Sequence, residues 1–336
     1  MPINHSRRGW MVASALALAA PATFAAPLGF EPWRADFHMH LRSQTAYDTE
    51  ATMCASFGKG ACHLDTAHQV RGGDDAIAAM DEVGARQGVI LSMAYMFGSS
   101  YVAAEHYDVA RMTRAENEYV AQQVGAHPDR LVGFFGVDPL SSNALDETRY
   151  WARDGRLKGL KMHFANSVVN LDDPEQLRKI AAVVGAAGKK GLPINIHLST
   201  GKGFGAAETE IFIREILPRA GDAWVQLCHA SGFGNADELM FNNLQVFAAH
   251  IAAHDPLTRH VIFDLASVIT PTTSAQDAAR LVALMRKIGL SRFVVGSDYD
   301  GTTPKTTDEM DRQKLPLSAQ EWRTVVRNCV PWVCKK

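Results

Sequence analysis

The stretch Asp36-Phe37-His38-Met39-His40 forms the C-terminal part of the first predicted strand of the chain. Successive side chains of a β-strand point to opposite faces, so His38 and His40 are expected to converge on one point while Phe37 and Met39 pack behind them. Two imidazoles aimed at one point suggest half of a metal site. The weight of that suggestion depends on whether later strands deliver matching ligands.

Eight short apolar segments have the length and pattern of β-strands, with helical segments between them. They are Trp33–His40, Gly88–Tyr95, Leu131–Asp138, Leu157–His163, Leu192–Leu198, Trp224–His229, His260–Leu265 and Arg292–Asp298. Asp173-Pro174 and the capping box Ser318-Ala319-Gln320-Glu321 are helix start signals. Eight strands that each precede a helix predict an α/β fold of the (β/α)₈ TIM-barrel type.

The ends of three later predicted strands carry further candidate ligands. Strand five ends in His197, strand six in His229 and strand eight in Asp298. Catalytic residues of such barrels lie at the C-terminal ends of the strands, so these side chains are expected to meet the two histidines of strand one. Imidazoles with one carboxylate suit Zn²⁺, while Mn²⁺, Fe²⁺ and Co²⁺ are alternatives.

Composition argues against a disordered chain, a membrane-spanning protein and a nucleic-acid-binding protein. The chain has 336 residues, of which 47% are apolar and 21% charged, and its formal net charge is −2. These values are typical of a globular protein with a sizeable core. The chain has no run of five basic residues, which argues against binding to nucleic acid.

Residues 1–25 have the pattern of a signal peptide, so residues 26–336 are predicted to form a single barrel domain. Arg7 and Arg8 precede an apolar run from Trp10 to Ala20, and small residues follow it. The signal is either of the twin-arginine type or a general secretory signal with two incidental arginines. We therefore expect a periplasmic or secreted protein with no stable membrane insertion after cleavage.

The five cysteines fit an oxidising compartment. Cys54 with Cys62, and Cys329 with Cys334, lie close enough in sequence to form two local disulfides, and Cys228 is left over. The alternative is five free thiols in a reducing compartment. Strand parity predicts that Cys228 faces the helix layer as a small buried residue.

The ordered set of strand-end residues resembles the amidohydrolase superfamily of metal-dependent barrels. The sequence around these residues is similar to that of the amidohydrolase-2 branch, which includes decarboxylases related to aminocarboxymuconate-semialdehyde decarboxylase. The similar segments are His127-Pro128-Asp129-Arg130 followed by Gly136-Val137-Asp138-Pro139, then Lys158-Gly159-Leu160-Lys161-Met162-His163, and Gly296-Ser297-Asp298-Tyr299. The resemblance covers about residues 33 to 330.

This resemblance implies a ligand set and a chemical role for the metal. It implies that the metal ligands are His38, His40, His197 and Asp298, with His229 as a fifth ligand or as an acid behind them. A bound cation of this kind lowers the pKa of its water to about 7 and polarises a carbonyl group. Asp298 would accept the proton of that water and pass it to the leaving group.

Lys161 and His163 share a face near the end of strand four. Some relatives in the superfamily carry a carboxylated lysine that bridges two metals, which in this chain would place His197 and His229 on the second ion. The alternative, which we favour, is an unmodified Lys161 that holds a substrate carboxylate or an acidic side chain of the protein, with one metal per chain. His163 is expected either to contact substrate or simply to pack.

The sequence thus predicts a metal-dependent hydrolase that cleaves an amide, lactone or ester bond of a small molecule. One alternative is a nonoxidative, metal-dependent decarboxylase of a small aromatic or unsaturated acid, with Lys161 or Arg34 holding the departing carboxylate and Asp298 or His229 protonating carbon. Another is a noncatalytic periplasmic binding barrel. The expected partner is a small-molecule substrate, and no particular oligomeric state is indicated.

Overall fold

The computed structural model describes residues 31–56, 70–102, 108–201 and 203–333. Within them, eight parallel strands form one sheet in the order β1 to β8. The strands are Ala35–Met39, Gln87–Leu91, Leu131–Gly136, Gly159–His163, Ile194–His197, Val225–Leu227, Val261–Asp264 and Phe293–Val294. The predicted (β/α)₈ barrel is therefore confirmed.

Helices connect the strands and surround the sheet. The α-helices α1 to α11 are Gln44–Ser56, Gly73–Asp81, Val109–Ala126, Ala144–Asp154, Pro174–Gly188, Ala206–Ile211, Leu217–Ala220, Glu238–Ala252, Ala275–Ile288, Pro304–Lys314 and Ala319–Arg327. Both predicted start signals are confirmed, because Asp173 caps α5 and Ser318 forms a capping box with Glu321 at α11. No helix among the described residues is long and apolar enough to cross a membrane.

Hydrogen bonds between β8 and β1 close the barrel. Phe37 N donates to Val295 O at 3.0 Å, and Asp298 N donates to His38 O at 2.8 Å. The closing contacts therefore continue past Val294, where β8 itself ends. This closure brings the chain around Asp298 beside the histidines of β1.

Alternation along the strands produces two apolar layers. Val89 and Leu91 of β2 belong to an inner cluster drawn mainly from the strands, whereas Ile90 between them belongs to the larger, outer cluster that includes the helices. The same alternation places Leu160 and Met162 of β4 in the larger cluster. The odd-numbered residues of β4 therefore face the barrel interior.

Strand β1 departs from strict alternation. Phe37 packs in the inner cluster and Met39 in the outer one, and the pairing of β1 with β2 shifts register between Asp36 and Met39. The prediction that Phe37 and Met39 both pack behind the two histidines was therefore wrong for Phe37. A register shift of the β-bulge type adds a residue and re-aims the side chains that follow it, and this allows His38 to point inward.

The predicted signal peptide (residues 1–25), Cys62 and Cys334 lie outside the described residues. Cys54 and Cys329 are both disulfide-bonded. Because their predicted partners Cys62 and Cys334 lie outside the described residues, the two pairings stay predictions. Cys228 is a free, buried thiol.

We expect a pH-dependent contribution to stability from His250 on α8. Its Nδ1 lies 2.6 Å from Asp255 Oδ2, and its Nε2 lies 3.1 Å from Glu210 Oε1 of α6. Burial opposes the charge of the imidazole, but the hydrogen bonds to Asp255 and Glu210 outweigh it and raise the pKa of His250. A raised pKa in the folded state stabilises the protein fully below the unfolded value of about 6.5, and the contribution is lost as pH rises through the folded pKa.

His250→Gln should therefore lower the free energy of unfolding by less than about 1 kcal/mol at pH 6, because the pair is partly exposed. At pH 9 the same substitution should cost almost nothing. Urea unfolding of both proteins at the two pH values measures this difference. An equal cost at both values would contradict the assignment.

Candidate active site

A cavity of about 340 Å³ opens at the C-terminal end of the barrel. The predicted metal ligands and the substrate candidates Lys161 and His163 all line it, together with residues from the loops that follow the strands. The lining residues are His38, His40, Arg42, Glu50, Met93, Tyr95, Lys161, His163, Asn166, His197, His229, Phe233, Asp298 and Gly301. The sequence therefore predicted the position of the cavity within the barrel correctly.

His38, His40 and Asp298 meet at the floor of this cavity. The two Nε2 atoms lie 3.1 Å apart. Asp298 Oδ1 lies 3.4 Å from His38 Nε2 and 3.6 Å from His40 Nε2. The predicted convergence of the histidine pair with the carboxylate of strand eight thus holds in the structure.

The hydrogen bonds behind these histidines fix their tautomers. His40 Nδ1 lies 2.8 Å from Leu91 O, and a carbonyl oxygen can only accept, so Nδ1 carries the proton. His38 Nδ1 lies 3.2 Å from the carboxylate of Asp264, which likewise accepts. Both Nε2 atoms therefore present lone pairs to the same point, as metal-binding histidines do.

The distances among these three atoms fit one metal ion. Ligand atoms around a tetrahedral Zn²⁺ at about 2.0–2.1 Å are separated by about 3.3–3.4 Å. The observed separations of 3.1, 3.4 and 3.6 Å bracket that value. Three lone-pair donors this close repel one another, and a cation among them would remove the repulsion.

The protonation states of the cluster also suit a cation. Burial lowers the pKa of His38 to about 4, and burial lowers the pKa of His40, so both imidazoles are neutral at pH 7. Asp298 accepts a hydrogen bond from Ser267 Oγ at 2.8 Å, which favours its ionised form, and its pKa lies well below the usual range. The site therefore combines two neutral nitrogen ligands with one carboxylate.

Asp298 is held in a left-handed backbone conformation, with φ of +62°. Ser267 Oγ donates to its Oδ2 at 2.8 Å, which leaves Oδ1 facing the histidines. Non-glycine residues rarely adopt this conformation, and they do so mainly where a site requires it. The prediction of an extended strand up to Asp298 was wrong, because the regular strand ends at Val294 and the backbone turns at the ligand.

His197 and His229 lie beside the three clustered ligands. The ring of His229 is 4.9 Å from the ring of His38 and 4.8 Å from that of His197, measured between centroids. His229 Nδ1 donates to Ala266 O at 2.7 Å, so its Nε2 also carries a lone pair. His197 Nε2 is buried and has no hydrogen-bond partner in the described part of the chain, which is an environment suited to a ligand.

Among the described residues, two groups of three side chains have ligand atoms that all lie within 4.8 Å of one another. One group is His38, His40 and Asp298, and the other is His38, His229 and Asp264. His197 belongs to neither group among the described residues. Its assignment as a ligand therefore stays a prediction.

Lys161 lies 1% exposed at the cavity floor. Its Nζ donates to Asn195 Oδ1 at 2.9 Å and to Cys228 Sγ at 3.1 Å. The prediction that Cys228 faces the helix layer was therefore wrong. Strand β6 ends at Leu227, which packs outward, so Cys228 faces inward and His229 reaches the cavity through a left-handed residue with φ of +53°.

His163 has the opposite tautomer to the candidate ligands. Its Nδ1 accepts a hydrogen bond from Asn166 N at 3.2 Å, and its ring stacks on that of His197 at 3.8 Å between centroids. Burial holds the pKa of His163 well below its usual value, so the ring is neutral and its proton is on Nε2. His163 is therefore suited to donate a hydrogen bond to a substrate oxygen.

Arg42 was not singled out from the sequence, and the roles of Asp264 on strand seven and Asp300 beside the metal site were left open there. Arg42 lies in the cavity wall, where its Nε donates to Glu50 Oε2 at 2.5 Å and its Nη1 pairs with Asp300. Asp264 stands behind His38. Arg34, one of two candidates to hold a carboxylate, instead lines a separate cavity with Gln87 at the start of β2, so that prediction was wrong.

A family model described as amidohydrolase matches residues 35–326 of the chain. No curated protein matches significantly. Among solved structures, 5-carboxyvanillate decarboxylase from Sphingomonas paucimobilis superimposes with a TM-score of 0.62 at 15% identity, covering 88% of this chain and 97% of that chain.

Two further structures have similar folds. Dihydroxybenzoic acid decarboxylase from Polaromonas sp., with bound manganese and 2-nitroresorcinol, gives a TM-score of 0.60 at 12% identity, covering 88% of this chain and 95% of that chain. A probable 2-pyrone-4,6-dicarboxylic acid hydrolase from Acinetobacter baumannii gives 0.54 at 15% identity, covering 87% and 95%. At these identities the comparisons show that the fold is shared.

Proposed function

The chain belongs to the amidohydrolase family, and from that premise we propose that it is a metal-dependent decarboxylase of a small aromatic carboxylic acid. The observation that carries this proposal is the buried amine of Lys161 at the floor of the cavity. Its partners among the described residues are Asn195 Oδ1 and Cys228 Sγ, and neither is a carboxylate.

A buried ammonium without a carboxylate partner is costly in the free protein. An anionic substrate beside Lys161 would offset that cost, which favours acids over neutral esters or amides as substrates. The cavity also offers Tyr95, Met93 and the half-exposed Phe233 as apolar walls for a flat ring. A small aromatic acid fits both features.

Decarboxylation is favoured over hydrolysis, the main prediction from the sequence, because two of the similar folds reported above are decarboxylases of hydroxylated aromatic acids. Lactone hydrolysis is the second candidate, since the probable pyrone hydrolase is named for a dicarboxylic acid, a class of substrate that Lys161 would also suit. We propose a single divalent ion held by His38, His40 and Asp298, with His197 completing the set. Mn²⁺ and Zn²⁺ both suit this donor set.

The bound ion would act as a Lewis acid on substrate oxygens. Lys161 holds the anionic substrate, and His163 Nε2–H donates to one of its oxygens. When the bond between the ring carbon and the carboxyl group breaks, the electron pair stays on the ring carbon and CO₂ leaves. His229 supplies the proton to that carbon, because its Nδ1 is already engaged with Ala266 O and a second proton on Nε2 would face the cavity.

The proposal predicts release of carboxyl carbon without an oxidant. Protein reconstituted with Mn²⁺ or Zn²⁺ would be incubated with dihydroxybenzoates and 5-carboxyvanillate that carry ¹³C in the carboxyl group. We expect ¹³CO₂ and the corresponding phenol by mass spectrometry. Opening of 2-pyrone-4,6-dicarboxylate without ¹³CO₂ from any acid would establish the hydrolase instead, and metal binding without any turnover would favour the noncatalytic barrel.

A further inference from the structure

We propose that Asp264, at the end of β7, is a positioning residue that orients the metal centre without binding the metal. It is fully buried behind His38. Its Oδ2 accepts hydrogen bonds from His38 Nδ1 at 3.2 Å and from Gln226 Nε2 at 2.7 Å. Its Oδ1 accepts from the backbone N of His229 at 2.9 Å and of Ala266 at 3.2 Å.

The first role of Asp264 is to select the tautomer of His38. A carboxylate at Nδ1 keeps the proton on that nitrogen and leaves the Nε2 lone pair for the metal. Gln226 holds the carboxylate in place, since the same Nε2 group also donates to Phe37 O of β1 at 3.0 Å. Gln226 of β6 and Asp264 of β7 thus hold His38 of β1 in position.

The second role is to hold the chain that carries His229. The residues from His229 to Ser231 have left-handed φ angles of 53°, 51° and 59°. Such a run is disfavoured for residues with a Cβ and persists only where surrounding contacts fix it. The hydrogen bond from His229 N to Asp264 is one of those contacts, so one carboxylate sets the position of two histidines.

The hydrogen bonds to both carboxylate oxygens of Asp264 distinguish it from a metal ligand. Asp264 also lies within metal-binding distance of His38 and His229, but its two oxygens already accept four hydrogen bonds. Asp298 accepts only from Ser267 on Oδ2 among the described side chains, which leaves Oδ1 available. The metal therefore belongs on the Asp298 side of His38.

The test is the affinity of Asp264→Asn for Co²⁺ by competition with a chelator. Asp36→Asn is the matched control, because Asp36 is equally buried but accepts from the backbone N of His38 at 3.0 Å and from Ser297 N rather than from an imidazole. We expect a loss of about 10- to 100-fold in Asp264→Asn, typical for partners of metal-binding histidines, and less than about threefold in the control. Equal losses in the two variants would overturn the proposal.

A tautomer measurement separates positioning from a general structural role. In metal-free wild-type protein labelled with ¹⁵N-histidine, NMR should show the His38 proton on Nδ1. In Asp264→Asn the proton should shift at least partly to Nε2. A His38 proton on Nε2 in the wild type would overturn the inference even if the variant fails to fold.

A double-mutant cycle shows through which ligand Asp264 acts. Adding Asp264→Asn to His38→Ala should cost little further Co²⁺ affinity, whereas adding it to His40→Ala should cost its full amount. Additive losses with both would contradict action through His38. The inference rests on the metal site of the proposed function but not on its substrate. If wild-type protein binds no Co²⁺, the proposed metal site itself is rejected. If wild-type protein binds Co²⁺ and Asp264→Asn binds it with the same affinity, only this inference is rejected.

Discussion

Asp298→Asn is expected to abolish metal binding and, with it, turnover. The substitution keeps the shape of the side chain but replaces the charged oxygen that lies 3.4 and 3.6 Å from the two imidazole nitrogens. Loss of a partner that only orients a ligand costs about 10- to 100-fold in metal affinity, so loss of a ligand should cost more than about 100-fold. Competition with a chelator for Zn²⁺ or Co²⁺ measures this directly.

Ser267→Ala is the graded control for that result. It removes the hydrogen bond that orients Asp298 but leaves the carboxylate itself. We expect a loss of about tenfold in affinity with activity recovered at high metal concentration. Wild-type affinity in Asp298→Asn would show that the ion, if any, is held elsewhere.

Lys161→Met is expected to impair turnover without removing the metal. Methionine has a similar length, so the cavity floor should stay filled, but the group that binds the anionic substrate is lost. A hydrogen bond to a charged group contributes about 1.5–3 kcal/mol, which corresponds to a fall of roughly 10- to 150-fold in kcat/KM. Kinetics with the best acid from the substrate panel, beside metal analysis, measures both quantities.

Lys158→Met is the matched control, since Lys158 is exposed and its Nζ bonds only Gly155 O among the described residues. It should leave kcat/KM unchanged. If Lys161→Met instead lowers the metal content from two ions to one or none, Lys161 is a carboxylated bridge and not a substrate-binding amine.

The barrel was predictable because its signals are local. Strand length, alternation and helix start signals each depend on a few neighbouring residues, as Asp173 and Ser318 show at the starts of their helices. The position of His197 at the end of β5 followed from the same pattern.

Alternation failed where a strand stops or bulges. His229 and Asp298 both reach the cavity through left-handed residues beyond the last strand residue, and Cys228 consequently faces inward. A register shift in β1 likewise depends on its pairing with β2 and not on the residues of β1 alone. These features depend on contacts between distant segments, which a local pattern does not encode.

The supporting residues were unpredictable for the same reason. Asp264 meets His38 across 226 positions of sequence, and Ser267 meets Asp298 from another loop. Asp264 and Asp300 were recognisable as acids near the strand ends, but their partners became identifiable only once the barrel had closed. Residue type alone could not separate an acid that binds metal from one that orients a ligand.

The proposed metal centre is tested most directly by the number of metal ions per chain, measured by elemental mass spectrometry on wild-type protein reconstituted with Mn²⁺ or Zn²⁺ and freed of excess metal. We expect about one ion per chain, bound by the donor set that His38, His40 and Asp298 provide. Two ions per chain would contradict the single-ion site and support carboxylation of Lys161. A protein that retains no ion after reconstitution would contradict the metal centre itself.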